Sequence, residues 1–205
     1  ERNELRERNR LIKRELEMAR AVQQSLIPRE FPSKHIHAVY RPMEEVGGDY
    51  FDFFSLDGGR RIGMFLSDVS GHGVPAALIA ATIKSVISEA RRLQRTPSRM
   101  MTHLNDVLLA QTEQYFVTAL YGIYDFQDRS LTWANAGHPP PLLLHRGRVR
   151  EVEAARTHVP LGFLPTAELN EKGEIYGDSR VLLPPDSKLL LFTDGLVEAS
   201  RGGDR

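Results

Sequence analysis

Two consecutive helical segments separate two groups of short strand-like segments in this 205-residue chain, and this order is the strongest constraint on its fold. The helical patterns cover residues 75–94 and 97–112, and a proline stands at the start of each. Strand-like runs bounded by turn residues lie before and after them. Alternating βαβ units would place a single helix between successive strands. The observed order therefore predicts an α+β fold with antiparallel sheets.

The strand-like runs are short, and the clearest pair forms a hairpin. Residues 50–56 and 61–67 flank the turn sequence Asp57-Gly58-Gly59-Arg60, which favours a tight connection. Residues 36–40 predict an additional strand before this hairpin. The later predicted strands cover residues 116–125, 130–136, 142–145, 149–153, 180–183 and 188–192.

Composition excludes several classes of function. The chain has no cysteine, so it has no disulfides, thiolate metal ligands or cysteine nucleophiles. Its 27 basic residues balance 27 acidic ones, which gives no indication of nucleic-acid or membrane-surface binding. We find no apolar run of the roughly 18 residues that a membrane span needs, and no signal peptide. These features favour a cytoplasmic location.

The first 27 residues differ from the rest because they carry a heptad pattern that ends before Pro28. One interpretation is an amphipathic helix lying on its own domain. The other is a coiled-coil-like regulatory helix that forms a homodimer and joins an upstream sensor domain to residues 28–205. The repeating positions are Leu5, Asn9, Ile12, Leu16, Ala19, Gln23 and Leu26.

Three clusters combine aspartate with glycine at the ends of predicted strands. They are Gly47-Gly48-Asp49, residues 68–73 (DVSGHG) and Thr193-Asp194-Gly195. Glycine lets a ligand or another backbone approach closely, and converging carboxylates repel one another unless a cation neutralises them. Oxygen ligands without cysteine favour a hard ion, either Mg²⁺ or Mn²⁺, over Zn²⁺.

The stretch VGGDYFDFF at residues 46–54 contains two acids that strand geometry separates. Side chains alternate between the two faces of a strand, so Asp49 and Asp52 point in opposite directions. Asp49 follows the glycine pair and is the candidate ligand, whereas Asp52 is predicted to accept a hydrogen bond or support the site. The aromatic side chains should divide in the same way: Phe51 and Phe53 between the sheets, Tyr50 and Phe54 under the helices.

Three further polar residues have both a chemical and a structural interpretation. His72 could act as a general acid or pack in its glycine-rich turn, and His138 in NAGHPPP is predicted to have a structural role in a rigid turn. Ser70 lacks the surroundings of a nucleophile, so we predict that it caps the helix that begins near residue 74.

Six motifs, in this order, resemble the bacterial PPM-type serine/threonine phosphatases, especially the SpoIIE and RsbU branch that regulates sigma factors by partner switching. They are AxxVQQSLIP (residues 19–28), VGGDYFDFF (46–54), SDVSGHGVPAAL (67–78), NAGHPPPLLL (135–144), VPLGF (159–163) and FTDGLVEA (192–199).

The resemblance implies a four-layer αββα sandwich with two divalent cations, Mn²⁺ or Mg²⁺, at one edge. Asp68 would bridge the cations, Asp49 and the Val69 carbonyl would bind one, and Asp194 the other. A metal-activated water would hydrolyse phosphoserine or phosphothreonine on a STAS-type anti-sigma-factor antagonist. The residues implied to support this site are Asp52, Gly48, Gly71, His72 and Gly195.

Two alternatives remain at the level of sequence. The family ends with a further strand that carries another metal-binding aspartate, and Asp204 falls too early to replace it, so we expect the domain to be C-terminally incomplete. An inactive phosphatase fold that binds a regulatory partner is therefore the alternative function. The GGDEF loop of diguanylate cyclases also resembles VGGDYF, but it needs an acid where Tyr50 stands, and it leaves DVSGHG and FTDG unexplained.

Overall fold

Two antiparallel sheets and the helices around them form the part of the chain that the computed structural model describes. The described residues are 2–42, 44–112, 114–154, 158–172 and 176–198, so Asp204 lies outside them. The helices are α1 (Arg2–Leu26), α2 (Gly73–Glu89), α3 (Pro97–Gln111), α4 (Thr166–Glu171) and α5 (Gly195–Glu198). The strands are β1 (Tyr50–Leu56), β2 (Arg61–Val69), β3 (Val117–Asp125), β4 (Ser130–Ala136), β5 (Leu142–His145), β6 (Arg148–Glu151), β7 (Ser179–Leu182) and β8 (Lys188–Leu190).

The larger sheet has the strand order β1-β2-β3-β4-β7, and the smaller sheet has the order β6-β5-β8. Every strand pair in both sheets is antiparallel, including the predicted β1–β2 hairpin. The predicted fold class, α+β with two antiparallel sheets flanked by helices, is confirmed.

Two apolar cores hold these layers together. Helices α2 and α3 pack on one face of the larger sheet, where Ile83 and Met100 belong to the same buried cluster as Phe65. The second core lies between the sheets and contains Trp133 from the larger sheet and Leu143 from the smaller one. Burial of each large apolar side chain contributes about 1.5–3 kcal/mol, so these cores dominate the stability of the sandwich.

The segment before β1 differs from the prediction, because residues 36–40 form no strand. Val39 is 82% exposed there, so the alternating burial that stabilises a strand is missing. The segment instead covers β1 with side chains: Tyr40 packs on Phe51, and Phe31 packs edge-on against Phe53. These two phenylalanines were expected between the sheets. Strand β1 is the outermost strand of its sheet, and this preceding segment takes the place of the second sheet.

Helix α1 divides into two halves with different surroundings. Its last turns pack against the domain, where Gln23 is buried and Leu16 is half-buried, and α1 contacts α2. Leu5 and Ile12, which carry the same heptad pattern, are 60% and 47% exposed. The interpretation as a helix lying on its own domain therefore holds for the C-terminal half. No helix in the described ranges combines the length and apolar character needed to cross a membrane.

Candidate active site at one edge of the sandwich

Three polar side chains lie in a row at one end of the first three strands of the larger sheet. In the β2–β3 register Asp68 lies directly opposite Thr118. The β1–β2 register ends at Tyr50 opposite Ser67. Extending it by one residue brings Asp49 beside Asp68, in agreement with the close approach of Gly48 to Val69 one step further on. Opposite residues of antiparallel strands share a sheet face. We call Asp49, Asp68 and Thr118 the edge row. These three residues lie on the same face of the sheet as Leu120, which belongs to the core between the two sheets.

The segment of residues 192–194, which follows β8 of the smaller sheet, is bonded to both ends of this row. At one end, the Thr193 hydroxyl donates a hydrogen bond of 3.1 Å to Asp49 Oδ2. At the other, the Phe192 carbonyl lies 3.0 Å from Nε2 of His138, whose Nδ1 lies 2.9 Å from the Thr118 hydroxyl oxygen. The two sheets thus bring Asp194 to the edge row.

Burial and two neighbouring groups set the electrostatics of Asp49. Burial raises its pKa, the hydrogen bond from Thr193 lowers it, and the charge of Asp194 raises it again. The hydroxyl of Tyr40, which donates to the Asp49 carbonyl at 3.3 Å, has its pKa raised to about 12 by burial and by the Asp49 charge. A divalent cation bound beside Asp49 and Asp194 would favour the ionised form of both carboxyl groups.

Gly48 brings the Asp49 segment into close contact with the end of β2. A Cβ atom at position 48 would lie only 2.9 Å from the Val69 carbonyl oxygen and 3.0 Å from Val69 Cβ. The two segments can approach this closely only with glycine at position 48. The approach places two candidate metal ligands, Asp49 and the Val69 carbonyl, on adjacent segments of backbone.

These donors fit a hard cation because all of them are oxygens: the carboxylates of Asp49, Asp68 and Asp194 and the carbonyl of Val69. Within the described ranges, however, no three acidic or histidine side chains are grouped closely enough to hold a metal ion by themselves. The residues thus provide a partial ligand set, which carbonyl and water oxygens would complete.

Asp52 lies on the opposite face of β1, under helix α2. It is buried and accepts hydrogen bonds from the Tyr50 hydroxyl at 2.6 Å, the Phe53 N–H at 2.8 Å and the Lys84 ammonium at 2.5 Å. Burial and the neighbouring Asp52 charge raise the pKa of Tyr50, so this hydroxyl stays protonated and remains a donor. Asp52 therefore does not reach the edge row.

The loop after β2 has an unusual backbone at Gly71 and Gly73, whose φ angles are +87° and +74°. Ser70 was expected to cap helix α2, but its hydroxyl instead accepts a hydrogen bond of 3.0 Å from the Phe116 N–H. The N-cap residue, which directly precedes α2, is His72, and it makes no side-chain capping bond. Its side chain is 72% exposed, and its Nδ1 lies 3.0 Å from Glu44.

Gly195 begins the short helix α5 directly after Asp194. A Cβ atom at this position would meet no other atom within 4 Å, so packing does not require glycine here.

Several contacts of the site have no local signal in the sequence. The side-chain amide of Gln23 in α1 donates to the Gly47 carbonyl and accepts from the Gly47 N–H, at 2.5 Å and 3.0 Å. An ion pair of 2.8 Å between Arg20 and Glu45 adds a second link. The heptad pattern included Gln23, but only the folded structure shows that it binds the loop before Asp49.

The sandwich of two antiparallel sheets flanked by helices gives this chain the fold of a PP2C-type phosphatase domain. The SiaA-PP2C domain of Pseudomonas aeruginosa matches it with a TM-score of 0.79 at 21% identity, over 95% of this chain and 77% of that one. The family described as Stage II sporulation protein E (SpoIIE) matches residues 58–205, and the chain belongs to this family.

Two relatives from Bacillus subtilis (strain 168) carry phosphatase names. Phosphoserine phosphatase RsbP is 28% identical over 193 residues, which cover 91% of this chain and 46% of that protein. Phosphoserine phosphatase RsbU is 32% identical over 133 residues, which cover 63% of this chain and 39% of that protein. The chain thus spans less than half the length of either relative.

Proposed function

We propose that this chain hydrolyses phosphoserine or phosphothreonine in a partner protein with the help of two divalent cations, Mn²⁺ or Mg²⁺. The observation that carries the proposal is the 3.1 Å hydrogen bond from Thr193 to Asp49, which holds the segment containing Asp194 beside the edge row. Membership of the SpoIIE family and the phosphoserine phosphatase names of two relatives support the same activity.

The proposed roles of the donors are those that the resemblance to the family implies. Asp68 at the centre of the edge row would bridge the two cations, with Asp49 and the Val69 carbonyl on one and Asp194 on the other. Thr193 orients the Asp49 carboxylate by donating to one of its oxygens. When bound, the cations would lower the pKa of a water molecule and neutralise charge on the phosphoryl oxygens.

The proposed substrate is a phosphorylated STAS-type anti-sigma-factor antagonist in the cytoplasm, and the proposed catalytic domain is residues 28–205. Support comes from membership of a family whose RsbU branch acts in partner switching. The partial ligand set favours one alternative, a domain that binds such a partner without turnover. The two functions differ in a single measurement, because only the enzyme releases phosphate.

The test is phosphate release from a phosphoserine STAS protein by the full-length natural protein. We expect a chelator to lower the rate by at least about a hundredfold, and added Mn²⁺ or Mg²⁺ to restore it, because the acids alone provide no nucleophile. A rate that a chelator leaves unchanged would contradict the proposal. Partner binding with no release under any of these conditions would support the inactive alternative.

We further propose that the N-terminal half of α1 forms a homodimer and transmits a signal from an upstream sensor domain. Leu5 and Ile12 remain exposed with heptad spacing, as a coiled-coil seam requires.

Replacing both Leu5 and Ile12 with glutamate in the full-length protein should halve the mass measured by light scattering, since charges at seam positions repel. Leu11 and Met18 are equally exposed on another side of the helix. Glutamate at these two positions is the control and should leave the dimer intact; the opposite pattern would show that the seam is wrong.

A further inference from the structure

His138 is buried in the turn after β4, and that turn is fixed by a reciprocal pair of hydrogen bonds. The His138 N–H donates to Asn135 Oδ1 at 2.8 Å, and Asn135 Nδ2 donates to the His138 carbonyl at 2.8 Å. Asn135 is itself buried in β4 of the larger sheet. The backbone of His138 is therefore tied to a buried side chain of β4.

The partners of the ring select one protonation state. A carbonyl oxygen can only accept, so Nε2 must carry the proton that is donated to Phe192. In the neutral ring Nδ1 is then an acceptor, and the Thr118 hydroxyl donates to it. Burial lowers the pKa of His138 to about 4, against smaller opposing effects of the Phe192 carbonyl and the Asp194 charge. The ring is therefore neutral near pH 7 and both of its nitrogens are bonded.

We propose that His138 is a positioning residue for the cation site: it holds residues 192–194 over the edge row so that Asp194 and Asp68 reach the same pair of cations. This inference rests on the proposed function. The segment has two described side-chain links to the row, Thr193 to Asp49 and Phe192 through His138 to Thr118. The link from Thr193 depends on Asp49, which is itself a candidate ligand, whereas the link through His138 involves no candidate ligand side chain.

Removal of the ring should weaken cation binding more than it weakens the fold. Without the ring, the segment loses its link to Thr118, and Asp194 must be ordered at the expense of binding free energy when a cation arrives. Groups that orient metal ligands typically change metal affinity by about 10–100-fold when they are lost. The expected signature is a higher Mn²⁺ requirement with little change in the rate at saturating Mn²⁺.

The experiment measures Mn²⁺ affinity of the full-length protein by calorimetry and by the electron paramagnetic resonance signal of free Mn²⁺, without substrate. His138→Ala should lower the affinity about 10–100-fold. His138→Gln should recover part of the loss, because its amide can both donate to Phe192 and accept from Thr118. His158→Gln is the matched control: His158 is also buried, and its Nε2 accepts from the Gly177 N–H. The Mn²⁺ affinity of His158→Gln should equal that of the wild type.

Asp49→Asn separates this inference from the proposed function. If Asp49→Asn binds Mn²⁺ as the wild type does, the proposed function is wrong, and this inference with it. If Asp49→Asn loses binding while His138→Ala keeps wild-type affinity, only the inference is overturned.

Should His138→Ala fail to fold, the variant Thr118→Val decides, because it removes only the hydrogen bond to Nδ1 of His138. We expect it to lower Mn²⁺ affinity about fivefold, the equivalent of one hydrogen bond, and an unchanged affinity overturns the inference.

Discussion

Replacing Asp68 with asparagine is expected to lower metal-dependent phosphate release by about a thousandfold or more. Asp68 occupies the centre of the edge row, between Asp49 and Thr118, where one carboxylate could contact both proposed cations. Asparagine keeps the size of the side chain but removes its charge and one of its anionic oxygens. Loss of a single electrostatic group at a reaction centre costs about 10²–10³ in rate, and a bridging ligand affects two cations at once.

The measurement is kcat/KM for a phosphoserine protein across a Mn²⁺ titration, together with Mn²⁺ affinity without substrate. Asp186→Asn is the matched control, because Asp186 is exposed in the turn before β8 and has a φ of +57°, which asparagine tolerates. The control should behave as the wild type. Equal rates for Asp68→Asn and the wild type would rule out the metal-dependent mechanism.

The largest expected effect on stability comes from Asp52, on the other face of the same strand. Asp52→Leu should lower the free energy of unfolding by about 3 kcal/mol, because the Tyr50 hydroxyl and the Lys84 ammonium both lose their acceptor. In a domain of this size the melting temperature should fall by roughly 6–12 °C, which thermal unfolding followed by circular dichroism would detect. Mn²⁺ affinity should stay close to that of the wild type, since Asp52 faces helix α2.

The double variant Asp52→Leu/Lys84→Met provides the control for this interpretation. It removes the ammonium together with its partner, so it should recover much of the stability that the single variant loses. A double variant as unstable as the single one would show that the ion pair does not account for the loss. A parallel fall in Mn²⁺ affinity would contradict the separation of Asp52 from the site.

Features that depend on neighbouring residues could be predicted from the sequence. The β1–β2 hairpin follows from its turn residues, and alternation along β1 correctly places Tyr50 and Asp52 together under the helices. The same alternation puts Asp49 on the face that carries Asp68. Residues 36–40 show the limit of such reasoning, because a short apolar run does not reveal whether a strand is available to pair with it.

Features that depend on contacts between distant residues could not be predicted in this way. His138 was recognised as a turn residue, but its bond to Phe192 joins positions 54 residues apart. Asp52 was expected to accept a hydrogen bond, but Lys84 as its partner requires α2 to lie over β1. Gln23 and Gly47 meet only because α1 packs back onto the domain. In each case tertiary packing, which has no local pattern, selects the partner.

The bond between Thr193 and Asp49 has a consequence for how the protein is made, since these residues are 144 positions apart. At a synthesis rate of about 5–20 residues per second, a ribosome needs about 7–30 seconds to add that many residues. During that interval β1, β2 and β3 can pair and the edge row can form, while residues 192–194 do not yet exist. Until residues 192–194 are synthesised, the nascent chain therefore lacks the hydrogen bond that joins this segment to Asp49, and the proposed cation site cannot be complete.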